Sequence, residues 1–185
     1  MEDSSISKPL RIVITGGECT GKTTLTHALA GKFGMPFSTE GAREYVNDVQ
    51  RRLEFTDVEL IAFRQIKNEN TILTSESRII FLDTDLFSTL IYSQLYFNQR
   101  PSWLVTYCHA RKGDLYLLCS TDIPWVEDEL QRDHRTSHER ASAHELFVST
   151  LAQAECTFAI IDGLGEDRLL NAVTAIEAYL ATNRN

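Results

Sequence analysis

Apolar and polar positions follow two rhythms along the chain. Short, predominantly apolar runs rich in β-branched residues occur at 10–15 (LRIVIT), 78–82 (RIIFL), 115–119 (LYLLC) and 157–161 (TFAII), with a weaker one at 35–39 (MPFST). Runs of this length, closed by Gly, Asp or Ser, predict strands buried on both faces. The stretches between them change to helical spacing. Residues 22–33 place Leu25, Leu29 and Phe33 on one face and end at Gly34, a suitable left-handed cap. A polar helix is predicted from Ala42 towards Arg52, and a longer one from Thr56 towards Ser77, with Thr56 and Glu59 spaced as a capping box. Helices at 86–97 and 102–110 flank Pro101, and an amphipathic helix spans 166–182. Strands alternating with helices predict an α/β fold, a parallel sheet of about five strands covered by helices on both faces. The segment 127–145 is too polar for core and reads as a mobile lid or an exposed helical hairpin. Residues 1–9 read as a disordered tail, and 10–185 as a single domain with a lid over about 122–145.

Composition narrows the function classes. The 185 residues carry 18 Lys+Arg against 26 Asp+Glu, a formal charge of −8. That balance argues against a nucleic-acid binder, which needs clustered basic charge. No apolar run approaches the ~18–20 residues that span a bilayer. The start, MEDSSISKPL, has no apolar h-region and does not read as a signal peptide. Cysteines at 19, 108, 119 and 156 form no CxxC pair and read as reduced thiols, so a cytoplasmic protein is expected.

The chemistry begins where the first strand ends. Residues 16–23, GGECTGKT, fit G-x-x-x-x-G-K-[ST], with Gly16, Gly21, Lys22 and Thr23 in the defining places. Glycines let the backbone fold so that its N–H groups point at phosphate oxygens, and the following helix aims its positive end at the same anion. Gly16, Gly17, Glu18, Cys19, Thr20, Gly21, Lys22, Thr23 and Thr24 are the expected ATP-binding residues. In such a loop the lysine reaches the β- and γ-phosphates and the threonine hydroxyl ligates Mg²⁺.

Acidic residues at two strand ends complete a candidate site. Asp83 and Asp85 follow the 78–82 strand, and in an open parallel sheet strand C-termini form the ligand crevice. Asp83 is the candidate Mg²⁺ carboxylate beside Thr23. Asp85, two residues on, either faces the acceptor or caps the helix that begins near Leu86. Glu40 follows the 35–39 strand and would take the proton from an attacking hydroxyl or bind a ribose. Arg43 and Glu44 either pair on their helix or hold substrate.

The segments GGECTGKTT, EGAREYV, FLDTDLFST and DLYLLCSTDIPWVEDEL, in that order and spacing, resemble the P-loop domain of NadR-type nicotinamide riboside kinases and their stand-alone relatives. The resemblance runs from about Leu10 to Leu170 and does not extend to an adenylyltransferase domain. It implies a P-loop nucleoside triphosphate hydrolase fold and Mg·ATP-dependent phosphoryl transfer to a nucleoside 5′-hydroxyl, with nicotinamide riboside as acceptor and a place in NAD biosynthesis. Lys22, Thr23, Asp83, Asp85, Arg43, Glu44, Pro124, Trp125 and Asp128 match the family pattern. Lys22, Glu40, Asp85 and a lid arginine, Arg132, are the implied catalytic residues, and Glu40, Arg43 and Asp85 the implied substrate-binding ones. Where family members have an aromatic residue beside the glutamate, Glu40 is flanked by Thr39 and Gly41, so a stacking surface would have to come from Trp103, Tyr45 or Tyr92. Arg135 and Arg140 are further lid cations. His134 and His138 lack the glutamate of HExxH and do not read as a zinc site. The alternative function is a nucleotide-binding regulatory ATPase with no small-molecule acceptor.

Overall fold

The computed structural model describes residues 8–73, 77–123 and 136–183. Strands β1 (Leu10–Thr15), β2 (Phe37–Ser38), β3 (Ile79–Asp83), β4 (Leu115–Cys119) and β5 (Phe158–Ile161) form one sheet in the order β2-β3-β1-β4-β5. Every pairing is parallel, with Ile12 opposite Phe81 and Leu115, and Leu117 opposite Ala159. All five C-terminal strand ends therefore open on one edge.

Strand alternation divides the core into two layers, as a side-chain period of two requires. Ile12, Ile14, Phe81, Leu115 and Leu117 point to one face, where they meet Leu25 and Leu29 of α1 (Lys22–Phe33) and Val173 and Ile176 of α7 (Gly165–Thr182). Val13, Ile80, Leu82 and Tyr116 point to the other, towards α3 (Asp57–Leu73), α4 (Leu86–Phe97) and α5 (Ser102–Ala110). The helix α2 (Gly41–Val49) packs on α3, and α6 (Ser137–Gln153) covers α4. Both faces are thus covered, which is why the strands carry apolar residues on both of their faces.

Several element ends differ from expectation. Gly34 does cap α1, at φ 63° with its N–H on the Ala30 carbonyl. However, α2 stops at Val49, with Gln50 in the left-handed region at φ 47°, so Arg51 and Arg52 lie beyond the helix. At the start of α3 the polar contacts converge on Asp57 rather than on a Thr56–Glu59 box. Asp57 accepts from the Glu54 N–H (2.8 Å), the Tyr45 hydroxyl (2.7 Å) and the Arg51 guanidinium. Within the polar segment expected to be a lid or an exposed helical hairpin, residues from Ser137 onward form the first half of α6, begun by a Thr136–Glu139 capping box. That helix buries Ala143, Phe147 and Leu151. Residues 124–135, including Pro124, Trp125, Asp128, Arg132, His134 and Arg135, lie outside the described residues.

Candidate active site

The phosphate loop turns sharply because its first glycine has no side chain. Gly16 sits at φ 136°, and a Cβ there would stand 2.9 Å from the Cys119 carbonyl. The chain then bends at Cys19 (φ 55°) and enters α1 through Gly21. Within the loop the Thr20 hydroxyl and the Lys22 ammonium both donate to the Gly17 carbonyl, at 2.8 Å each. Lys22 is only 8 % exposed, so its charge is held over the loop rather than free in solvent.

The loop is tied to the sheet edge by a residue that periodicity alone does not reveal. Arg168 of α7 is buried; it donates to the Thr20 carbonyl (2.6 Å) and the Gly163 carbonyl (2.7 Å) and pairs with Asp122. Asp122 in turn accepts from the Gly163 N–H at 2.6 Å. Arg140, expected to be a lid cation, donates to the Thr121 (3.0 Å) and Ile123 (2.8 Å) carbonyls and pins α6 to the segment after β4.

Thr23 and Asp83 meet as the strand–loop arrangement requires. The Thr23 hydroxyl donates to Asp83 Oδ2 at 2.7 Å, and the carboxylate is 2 % exposed. Its other oxygen, Oδ1, is buried with no hydrogen-bond partner. Burial, only partly offset by the Thr23 hydroxyl and the Lys22 charge, raises the Asp83 pKa. A hydroxyl and a carboxylate with an unsatisfied oxygen beside a phosphate loop are a hard-oxygen donor set that fits Mg²⁺.

Asp85 does something else: of the two roles expected for it, the structure shows the cap of the helix that begins at Leu86. The strand does not continue past Asp83. Thr84 takes φ 66°, an uncommon conformation for a β-branched residue that costs on the order of 1–3 kcal/mol. The reversal turns Asp85 inward, where it is 3 % exposed. Its Oδ1 accepts from the Phe87 (3.0 Å) and Ser88 (3.4 Å) N–H groups as the N-cap of α4, and its Oδ2 accepts from the Tyr116 hydroxyl at 2.7 Å. Asp85 is a structural cap and does not line the cavity described next.

A cavity of about 360 Å³ opens beside the loop between α2, α3 and α4. Glu18, Cys19 and Lys22 line its loop end, together with Glu40 and Arg43. Glu40 is held there by a close helix contact. A Cβ on Gly41 would lie 2.7 Å from the Gln65 nitrogen, and the Gly41 N–H donates to Gln65 Oε1 at 2.9 Å. Gln65 also donates to the Thr84 carbonyl at 3.0 Å, so one buried amide fixes both acidic strand ends. Position 41, beside Glu40, thus has no room for an aromatic ring. Burial raises the Glu40 pKa, opposed by the Lys22 and Arg43 charges and reinforced by Asp83 and Glu18. Arg43 and Glu44 do not share a role: Arg43 faces the cavity, whereas Glu44 accepts from Thr39 (2.5 Å) and Asn68 (3.0 Å).

Aromatic surface enters from α4 instead. Tyr92 and Tyr96 stack with centroids 5.6 Å apart, and both line the cavity with Phe97. The Tyr96 hydroxyl bonds to the Glu18 carboxylate. Of the three alternative stacking residues, Trp103 packs on Phe63 and Tyr107, and Tyr45 is buried against Asp57. Tyr92 is the one that reaches the site. Tyr96, one turn further along α4, was legible only as helix spacing.

Residues 11–168 match the AAA_28 family, an AAA domain. The trifunctional NAD biosynthesis/regulator protein NadR of Salmonella typhimurium is 26 % identical over 174 residues, which cover 91 % of this chain and 42 % of that protein. A crystal structure of NadR protein in complex with NR superposes with a TM-score of 0.77 at 27 % identity, covering 92 % of this chain and 50 % of that one. Another, in complex with NAD and AMP-PNP, gives the same TM-score over 94 % of this chain. The chain therefore spans about half or less of the length of these relatives. Its fold is the P-loop nucleoside triphosphate hydrolase fold.

Proposed function

The chain belongs to the AAA_28 family of AAA domains, and from that premise we propose that it transfers the γ-phosphoryl group of Mg·ATP to the 5′-hydroxyl of a nucleoside, with nicotinamide riboside as acceptor. The observation that carries this reading is the convergence of Lys22, Glu40 and Arg43 on one cavity that also presents an aromatic pair. A regulatory ATPase needs no such acceptor space. The likeness to NadR with bound NR supports the same acceptor. A nicotinamide ring linked to ribose is a flat cation, which Tyr92 and Tyr96 would attract through their π faces.

In this reading the loop backbone and Lys22 hold the β- and γ-phosphates, and Arg43 balances charge at the migrating group. Glu40 accepts the proton of the 5′-hydroxyl as the O5′–Pγ bond forms and the bond from Pγ to the β,γ-bridging oxygen breaks. Thr23 and Asp83 would hold Mg²⁺, which when bound neutralises and orients the phosphate oxygens. Arg132 is the proposed lid cation and lies outside the described residues. Among the described residues no helix is long and apolar enough to cross a membrane, and a cytoplasmic location is proposed.

The test is ADP formation from Mg·ATP with and without each of several nucleosides. Stimulation by nicotinamide riboside supports the reading; equal rates with every nucleoside and with none support the regulatory ATPase instead. A second expectation concerns the metal. Asp83→Asn keeps a hydrogen-bond partner for Thr23 but removes the charge, so half-maximal activity should need roughly ten times more Mg²⁺. A Mg²⁺ titration unchanged from wild type would remove Asp83 from the metal site.

A further inference from the structure

The end of the cavity away from the phosphate loop carries charge that phosphoryl transfer does not use. The helix α2 runs along the cavity for nine residues, so about 13 Å separates Glu40 at its start from the segment that follows it. There Arg51, Arg52 and Leu53 line the same cavity. Arg51 is anchored: its two guanidinium nitrogens donate to Asp57 Oδ2 at 2.7 Å and Oδ1 at 2.9 Å. That ion pair fixes the plane of the guanidinium and holds the Asp57 carboxyl well below the usual carboxylate range. Arg52 has no such partner: among the described residues no carboxylate is paired with its side chain. The cavity lining as a whole holds Lys22, Arg43, Arg51 and Arg52 against Glu18 and Glu40, a cationic surface on a chain whose net charge is −8.

Resting on the kinase reading above, we propose that the site extends beyond nicotinamide riboside and prefers a pyridine ribonucleoside with an anionic group on the ring edge remote from its reacting hydroxyl. A pyridine ribonucleoside bearing a carboxylate would then be a better acceptor than its carboxamide. The ring of such a molecule is still cationic and still stacks on Tyr92 and Tyr96. Its carboxylate meets Arg52, the planar fork of which matches a carboxylate's two oxygens. Glu40 and Arg52 stand at opposite ends of one helix, so the same molecule reaches the base with its hydroxyl and the arginine with its ring substituent. A neutral carboxamide leaves a cationic ring near the Arg52 guanidinium with no charge to meet it.

The experiment compares kcat/KM for the carboxylate and carboxamide ribosides, with Mg·ATP saturating, in wild type, Arg52→Gln and Arg52→Lys. Wild type should prefer the carboxylate by about tenfold or more. Arg52→Gln should lower kcat/KM for the carboxylate about 10- to 100-fold, mainly through KM, and for the carboxamide by far less. Arg52→Lys should recover part of the loss. A nucleoside monophosphate serves as the third acceptor, since its anion lies at the reacting end. Preference for the carboxamide, equal losses on both ribosides, or preference for the monophosphate overturns this inference while leaving phosphoryl transfer standing. Turnover of no acceptor at all overturns the kinase reading, and this inference with it.

Discussion

Replacing Glu40 by glutamine lowers kcat by about 10²–10⁴-fold, the usual range for removing a positioned general base, while Mg·ATP affinity stays within a few-fold of wild type. Glutamine keeps the size and the hydrogen-bonding oxygen, so packing around Gly41 and Gln65 is undisturbed. What is lost is the capacity to take a proton. The pH profile gives an independent check. Burial raises the Glu40 pKa above its ordinary value of 4.5, and only the ionised form acts as base. Activity should therefore fall on the acid side at a higher pH than an ordinary glutamate would give, and that limb should vanish from the residual activity of Glu40→Gln. Rapid-quench kinetics across pH measures both. An unchanged kcat in the variant removes Glu40 from the proton transfer.

The second large effect is on stability and involves a residue outside the cavity. Burial pushes the Asp85 carboxyl up to about 7, against hydrogen bonds from Tyr116 and Ser88 that lower it. The unfolded chain ionises the same group near 3.8. Between these values the folded state binds the extra proton, so the stabilisation is fully present below about pH 4 and is lost as pH rises through about 7. A shift of this size corresponds to a change on the order of 4 kcal/mol. Asp85→Asn can still cap α4 but cannot ionise. Chemical denaturation between pH 4 and 8 should show stability falling with pH in wild type, and a flatter profile in the variant. Parallel profiles would mean that Asp85 ionises as freely folded as unfolded.

What the sequence reveals and what it hides follow from how local each determinant is. The strands are apolar on both faces because both faces are covered, and the phosphate loop is a contiguous motif in which backbone geometry is the function. Both are written within a few neighbouring residues. Asp85 defeats a reading by alternation because the strand ends at Asp83, two residues before it, and a positive φ at Thr84 reverses the direction of the chain. Nothing in the residue type announces that, since threonine rarely adopts it. Helical spacing carries α2 on to Arg52, three residues too far, and so places Arg51 and Arg52 on a helix instead of at the end of the cavity. The start of α6 was legible: Thr136 and Glu139 have capping-box spacing, and Ala143, Phe147 and Leu151 recur every four residues. The dense charge before them masked that signal. Tyr96 and Gln65 belong to the site only through helix packing, and Arg168 through a bond to a loop 148 residues away in sequence. Contacts of that range carry no local pattern.

The reaction proposed for this site moves phosphate from ATP to a nucleoside's 5′-hydroxyl. Mass spectrometry of products from Mg·ATP with a pyridine ribonucleoside and its 5′-deoxy analogue, using wild type and Lys22→Ala, tests it most directly. A nucleoside monophosphate should form only from wild type with the intact hydroxyl, and none from the analogue or the variant. ADP formed at the same rate with either compound, and no monophosphate in any reaction, would contradict it.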